Sequence, residues 1–141
     1  MIYVEEKDLE HQLKLLSFLT SLDTYELVIW FYPESIINKI ATHEAIENHP
    51  PFESVTTYEE GISAKRTKPI PANAELISNI ASNKQAISKN IDSLALYKPS
   101  NHEWAACTIG HEGMSLIKDS ALINTLIEGG YNASQEAPSW W

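Results

Sequence analysis

The chain opens on an apolar run before its first charges, and Met1-Ile2-Tyr3-Val4-Glu5 predicts a short strand. Asp8 can cap a helix over residues 9–20, where Leu9, Leu13, Leu16 and Leu19 fall on one stripe. Ser21-Leu22-Asp23 ends it. Residues 25–32, Tyr-Glu-Leu-Val-Ile-Trp-Phe-Tyr, carry the strongest strand signal in the chain. Their near-continuous apolarity predicts a central strand covered on both faces. Strand, helix and strand in quick succession predict an N-terminal right-handed βαβ unit.

Pro33 suits the first turn of a second helix over residues 34–48, with Ile36, Ile37, Ile40 and Ile46 as its apolar side. His49-Pro50-Pro51 stops it, because neither proline continues the hydrogen-bond ladder. Residues 53–58 and 62–67, joined by Glu59-Glu60-Gly61, predict a β-hairpin. After the rigid Pro69-Ile70-Pro71, Asn73 offers a cap for a long helix over residues 74–93. Leu76, Ile77, Ile80, Ile87, Ile91 and Leu94 recur there at helical spacing, and residues 94–97 then continue as a strand. Residues 103–109 and 114–118 predict a second hairpin around Gly110-His111-Glu112-Gly113. A last helix, residues 121–128, turns Leu122, Ile123, Leu126 and Ile127 inward and stops at Gly129-Gly130. Residues 131–141 have no periodicity and form an irregular tail. The fold class expected is α/β, with mixed α+β as the variant: one small domain, a mixed sheet, about four helices and two hairpins.

Composition fits that picture. The chain has 141 residues, 43% hydrophobic and 21% charged, a size and balance at which one core forms without staples. A single cysteine, Cys107, excludes an intramolecular disulfide and a cysteine-based zinc cluster. The N-terminus runs straight into Glu5, Glu6, Lys7 and Asp8, without the apolar stretch of a secretory signal. The longest apolar run, residues 27–32, is far too short to span a bilayer. The expected compartment is the cytoplasm. The formal net charge of -9 repels nucleic acids and anionic membranes at long range and favours encounter with a cationic partner.

Candidate chemistry is sparse. Three histidines precede a glutamate, in His43-Glu44, His102-Glu103 and His111-Glu112, the side-chain types of a metal site or a general base. The zinc-protease pattern needs a histidine four residues after His43, and Glu47 stands there. On a helix His43 and Glu47 would share one face, and an exposed polar side accounts for both more simply. Cys107 sits in Trp-Ala-Ala-Cys-Thr-Ile, where a free cysteine packs as a small hydrophobe rather than a nucleophile. Gly110-x-x-Gly113 lacks the lysine of a phosphate loop and the third glycine of a dinucleotide fingerprint, and reads as a hairpin turn. Lys65, Arg66 and Lys68 form the one basic cluster, best read as guarding a sheet edge. No catalytic residue, metal ligand or cofactor is assigned.

Two features point to a partner. Glu44, Glu47, Glu53, Glu59 and Glu60 crowd into seventeen residues, as a solvated face or as a docking patch for a basic protein. The chain ends in Pro138-Ser139-Trp140-Trp141, and an exposed tryptophan pair marks a partner or oligomer contact. In size, acidity and lack of catalytic motifs the chain resembles bacterial immunity proteins, which neutralise toxic enzymes by covering their active sites. That resemblance is one of class and covers no motif. It implies an inhibitor that presents the five glutamates, with Trp140 and Trp141, to a basic toxin. The competing expectations are a small hydrolase or metal-dependent enzyme built on the histidine-glutamate pairs, and a structural subunit that oligomerises through the tryptophans.

Overall fold

The computed structural model describes residues 1–32, 39–40, 43–47 and 65–141. Strand β1 (Ile2–Glu5) leads into helix α1 (Leu9–Leu22), whose first turn is capped as its sequence requires. The His11 backbone N–H donates to the Asp8 carboxylate at 2.9 Å, which satisfies one of the amides a helix start leaves without partners. At the other end the Asp23 N–H donates to the Leu19 carbonyl. There follow β2 (Glu26–Phe31), β3 (Lys39–Ile40), β4 (His43–Glu47), β5 (Lys65–Thr67) and β6 (Ile70–Pro71). Helix α2 (Ala74–Ser82), the single turn α3 (Lys84–Ile87), β7 (Ile91–Tyr97), β8 (Trp104–Ile109) and β9 (Met114–Ile117) come next. Helix α4 (Ile123–Glu128) and the short β10 (Ala133–Ser134) complete the order.

The strands form one sheet in the order β10-β1-β9-β8-β7-β2-β5-β4-β3, with β6 also on β2, and each pairing is antiparallel. The fold is therefore mixed α/β, but the sheet is antiparallel rather than mixed. The expected βαβ unit is corrected with it. β1 and β2 do run the same way, yet β9, β8 and β7 lie between them, so they never pair. Apolarity on both sides of β2 reflects two covered faces, a condition that antiparallel neighbours meet as well as parallel ones.

One face carries the main core. Ile2, Val4, Leu27, Ile29, Phe31, Leu94, Leu96 and Ile117 meet Leu13, Leu16 and Leu19 of α1, Ile77 and Ile80 of α2, and Leu126 of α4. The opposite face packs Val28, Trp30, Ala95, Tyr97, Trp104 and Cys107 together, with Leu116 at the margin. Along the β2 ladder, β5 and β6 are two pieces of one neighbour, interrupted at Lys68-Pro69. Proline has no N–H to offer there, and the Thr67 hydroxyl takes over the ladder's role by accepting the Ile29 N–H at 3.0 Å.

Two helices expected from periodicity are corrected. The long helix over residues 74–93 ends at Ser82, resumes for one turn, and gives way at Ile91 to β7, which pairs with β2 and β8. Every residue of β7 is buried, so its apolar positions carry no period and Ile91 and Leu94 continue the helical phase by coincidence. The helix over residues 34–48 is not formed where the chain is described: residues 39–40 and 43–47 are strands, with Ile46 opposite Arg66 of β5. β-branched isoleucines suit either assignment, and the pairing decides. Three helices of six residues or more remain among the described residues, fewer than the four expected. The first hairpin's turn and its 53–58 strand lie outside the described residues. The second hairpin, β8 and β9, forms as expected around Gly113, whose φ of +64° suits glycine.

Candidate functional site

The C-terminal segment is placed by a chain of local contacts. Gly130, at φ +87°, turns the chain out of α4, with its N–H on the Ile127 carbonyl and the Tyr131 N–H on that of Leu126. The Tyr131 ring packs on Phe18 of α1, with centroids 5.3 Å apart, and its hydroxyl donates to the Lys14 carbonyl. Ala133 and Ser134 then pair with Val4 and Tyr3, so part of the supposedly irregular tail is a sheet edge. The Gln135 amide donates to the Ser120 carbonyl, and the Trp141 N–H closes a turn on the Pro138 carbonyl at 3.0 Å.

This path carries the tail from the helix-covered face to the opposite one. Ile2 and Val4 belong to the main core, so strand alternation turns Tyr3 the other way. Trp141 meets Tyr3 edge-on at 6.3 Å, and Trp140 meets Trp141 at 6.1 Å with the planes 72° apart. Such tilted pairs set the positive edge of one ring toward the negative face of another. The two indoles remain 53% and 45% exposed, whereas Trp30 is at 1% and Trp104 at 8%. Glu5, on the same side of β1 as Tyr3, and Glu136 in the tail are both exposed. Tyr3 was not singled out from the sequence. The signal for it is the Ile2/Val4 alternation, which leaves Tyr3 facing away from the helices.

The remaining candidates are scattered. Glu44 and Glu47 lie on β4, and Glu53, Glu59 and Glu60 lie outside the described residues. His43 and Glu47 lose the helical spacing that would have brought them within one turn. Four residues along a strand span about 13 Å. His102-Glu103 precedes β8 and His111-Glu112 follows it, so about 20 Å of strand separates the two pairs. Three strands, β5, β2 and β7, lie between β4 and β8, which removes the third pair as well. Among the described residues no three histidine, cysteine, aspartate or glutamate side chains are grouped so as to hold a metal ion. Cys107 is buried at 4% exposure within β8.

The basic cluster is not an exposed patch. Arg66 is 5% exposed, lies 6.0 Å from the centre of the Trp30 ring, and donates to the Thr67 carbonyl. Burial holds its guanidinium below the usual arginine range. β5 also sits between β2 and β4, so guarding a sheet edge is not the role of these residues. Among the described residues no helix is long and apolar enough to cross a membrane. No protein-family model, curated protein or solved structure matches the chain.

Proposed function

We propose that this protein is a small acidic protein-binding module, an immunity-type inhibitor that covers the active site of a basic enzyme such as a nuclease-type toxin. The observation that carries the reading is the Trp140–Trp141 pair, held in a fixed arrangement on Tyr3 yet half open to solvent. Tryptophan and tyrosine dominate the energetic centres of protein interfaces, because they bury much surface at little cost in lost rotamers. A net charge of -9 supplies the second ingredient. Carboxylates draw a cationic partner in and help fix its register; Glu5 lies on the aromatic side of β1, and Glu44 and Glu47 lie on β4, toward the other end of the sheet. A cleft built to hold phosphates has the complementary charge, and the glutamates at 44, 47, 53, 59 and 60 are the proposed mimic of its anionic substrate.

The test is capture of a partner from the native host's lysate on the tagged chain, with washes of rising salt and identification by mass spectrometry. The expected result is one basic enzyme, retained at low salt, released at high salt and inhibited by the purified chain. In that complex Glu59→Lys with Glu60→Lys slows association, whereas Trp140→Ala speeds dissociation. A captured protein whose binding ignores salt and both variants defeats the proposal. Self-association through the tail is the outcome to separate from it, and light scattering with and without residues 138–141 does so.

A further inference from the structure

Away from the tryptophans, a cavity of about 100 Å³ opens between the end of α1, the β7–β8 turn and the turn after β9. Leu19, Ile117 and Leu122 give it an apolar wall, and Asp23, Tyr25 and Asp119 line it with oxygen. Tyr25 is only 9% exposed, and its hydroxyl has no hydrogen-bond partner among the described residues. The oxygen is not sealed from solvent, so a ligand that enters the cavity can take the place of water on it. Asp23 and Asp119 each commit one carboxylate oxygen to a backbone amide, Thr24 N–H at 2.7 Å and Ala121 N–H at 3.0 Å. The second oxygen of each is spare in these contacts. Lys98, Glu103 and Lys118 also border the cavity, and the Lys118 ammonium lies over the Trp104 ring, 4.4 Å from its centre.

We infer that this cavity binds a primary alkylammonium group, its stem along Leu19, Ile117 and Leu122 and its charge among Asp23, Asp119 and the Tyr25 hydroxyl. The field inside agrees with that assignment. Burial first, then Asp23 and Asp119, push the Tyr25 phenol above its ordinary value, and neither lysine opposes them. The site at the phenol is therefore negative, a place where a cation gains and an anion does not. Size points the same way. A cavity of about 150 Å³ takes up a benzene ring, so this narrower one suits an unbranched stem. Lysine side chains and free alkylamines share that chemistry, and both are charged at neutral pH.

The probe is n-butylammonium chloride, titrated into the whole isotope-labelled chain while backbone amide signals are followed by NMR, with sodium butyrate at equal ionic strength as control. Saturable shifts at Asp23, Tyr25 and Asp119 are expected with the ammonium and not with butyrate. Tyr25→Phe, which keeps the packing, should weaken binding about fivefold, the value of one hydrogen bond. Asp23→Asn with Asp119→Asn keeps both amide contacts and should abolish saturation. Saturable shifts with butyrate, none with butylammonium, or ammonium binding undiminished in the double variant each overturn the inference. Once the expected result is in hand, tighter binding of a blocked lysine than of butylammonium assigns the site to a partner's side chain, and the reverse assigns it to a free amine. Because the probe is a small molecule, this result stands whether or not the tryptophan pair binds a protein.

Discussion

Replacing Trp140 by alanine separates a partner contact from a piece of the core. A fully buried tryptophan removes roughly 200 Å² from water. At about 25 cal/mol per Å² that is roughly 5 kcal/mol, near the top of the measured range for a core Trp→Ala change. Trp30, at 1% exposure, is such a residue. Trp140 is 53% exposed, so slightly less than half of that area is at stake. The ceiling is then about 2 kcal/mol, and a compact unfolded chain lowers it to about 1.5 kcal/mol. Urea unfolding followed by far-UV circular dichroism should show Trp140→Ala costing less than half of Trp30→Ala, with an unchanged slope. Acrylamide quenching supplies a second reading without a partner: Trp140→Phe with Trp141→Phe should remove the accessible part of the emission and leave the blue-shifted part of Trp30 and Trp104. With the partner bound, the same indoles become shielded, and Trp140→Ala weakens the complex at least about thirtyfold, the equivalent of 2 kcal/mol. A Trp140→Ala cost equal to that of Trp30→Ala would refute the reasoning, since the tail would then be a strap on the core.

Other outcomes follow from the same geometry. Leu94→Ala, at a fully buried site between β2 and β8, should cost about 3–5 kcal/mol in urea unfolding through the cavity it leaves. Gly113→Ala should cost about 1–2 kcal/mol, since its φ is +64° and the new methyl would sit 3.3 Å from the Glu6 carbonyl oxygen. The Asp8 carboxyl lies below its ordinary value, chiefly because it accepts the His11 backbone N–H and then the His11 side chain. The unfolded chain consequently takes up this proton first as pH falls below about 4, and stability declines from there down to the folded-state value. Asp8→Asn keeps a capping oxygen and should flatten that part of a urea-midpoint profile between pH 2 and 5. At the alkaline end the Tyr25 phenol is raised by burial, so stability falls as pH climbs past about 10, and Tyr25→Phe should reduce the fall.

What the sequence made legible was local. Asp8 before a leucine stripe, the β-branched and aromatic run of β2, the glycines around β8–β9 and after α4 each carry their own punctuation, and each element stands where that punctuation puts it. What was illegible depended on distant partners. β7 is buried on both faces and so has no period, and only its pairing to β2 and β8 separates it from the tail of α2. The strand at residues 43–47 rests likewise on β5. The site divides along the same line. The terminal tryptophans were visible as unusual, but their exposure is decided by β10 pairing with β1 and by Tyr3 facing away from the helices. The cavity around Tyr25 draws on residues 19 to 122, and no local pattern announces it.

The order of strands has a consequence for the chain as it is made. β7, β8 and β9, the strands that separate β1 from β2, are made after both and end only at Ile117. At roughly 5–20 residues per second, β2 waits several seconds for β5 and β6 and then for β7, the strands that pair with it. Until β5 and β6 are made, Leu27, Val28, Ile29, Trp30 and Phe31 have none of the strands that pair with β2 to join. Chaperone engagement should therefore concentrate on this stretch, and folding should become possible only as the C-terminal third emerges.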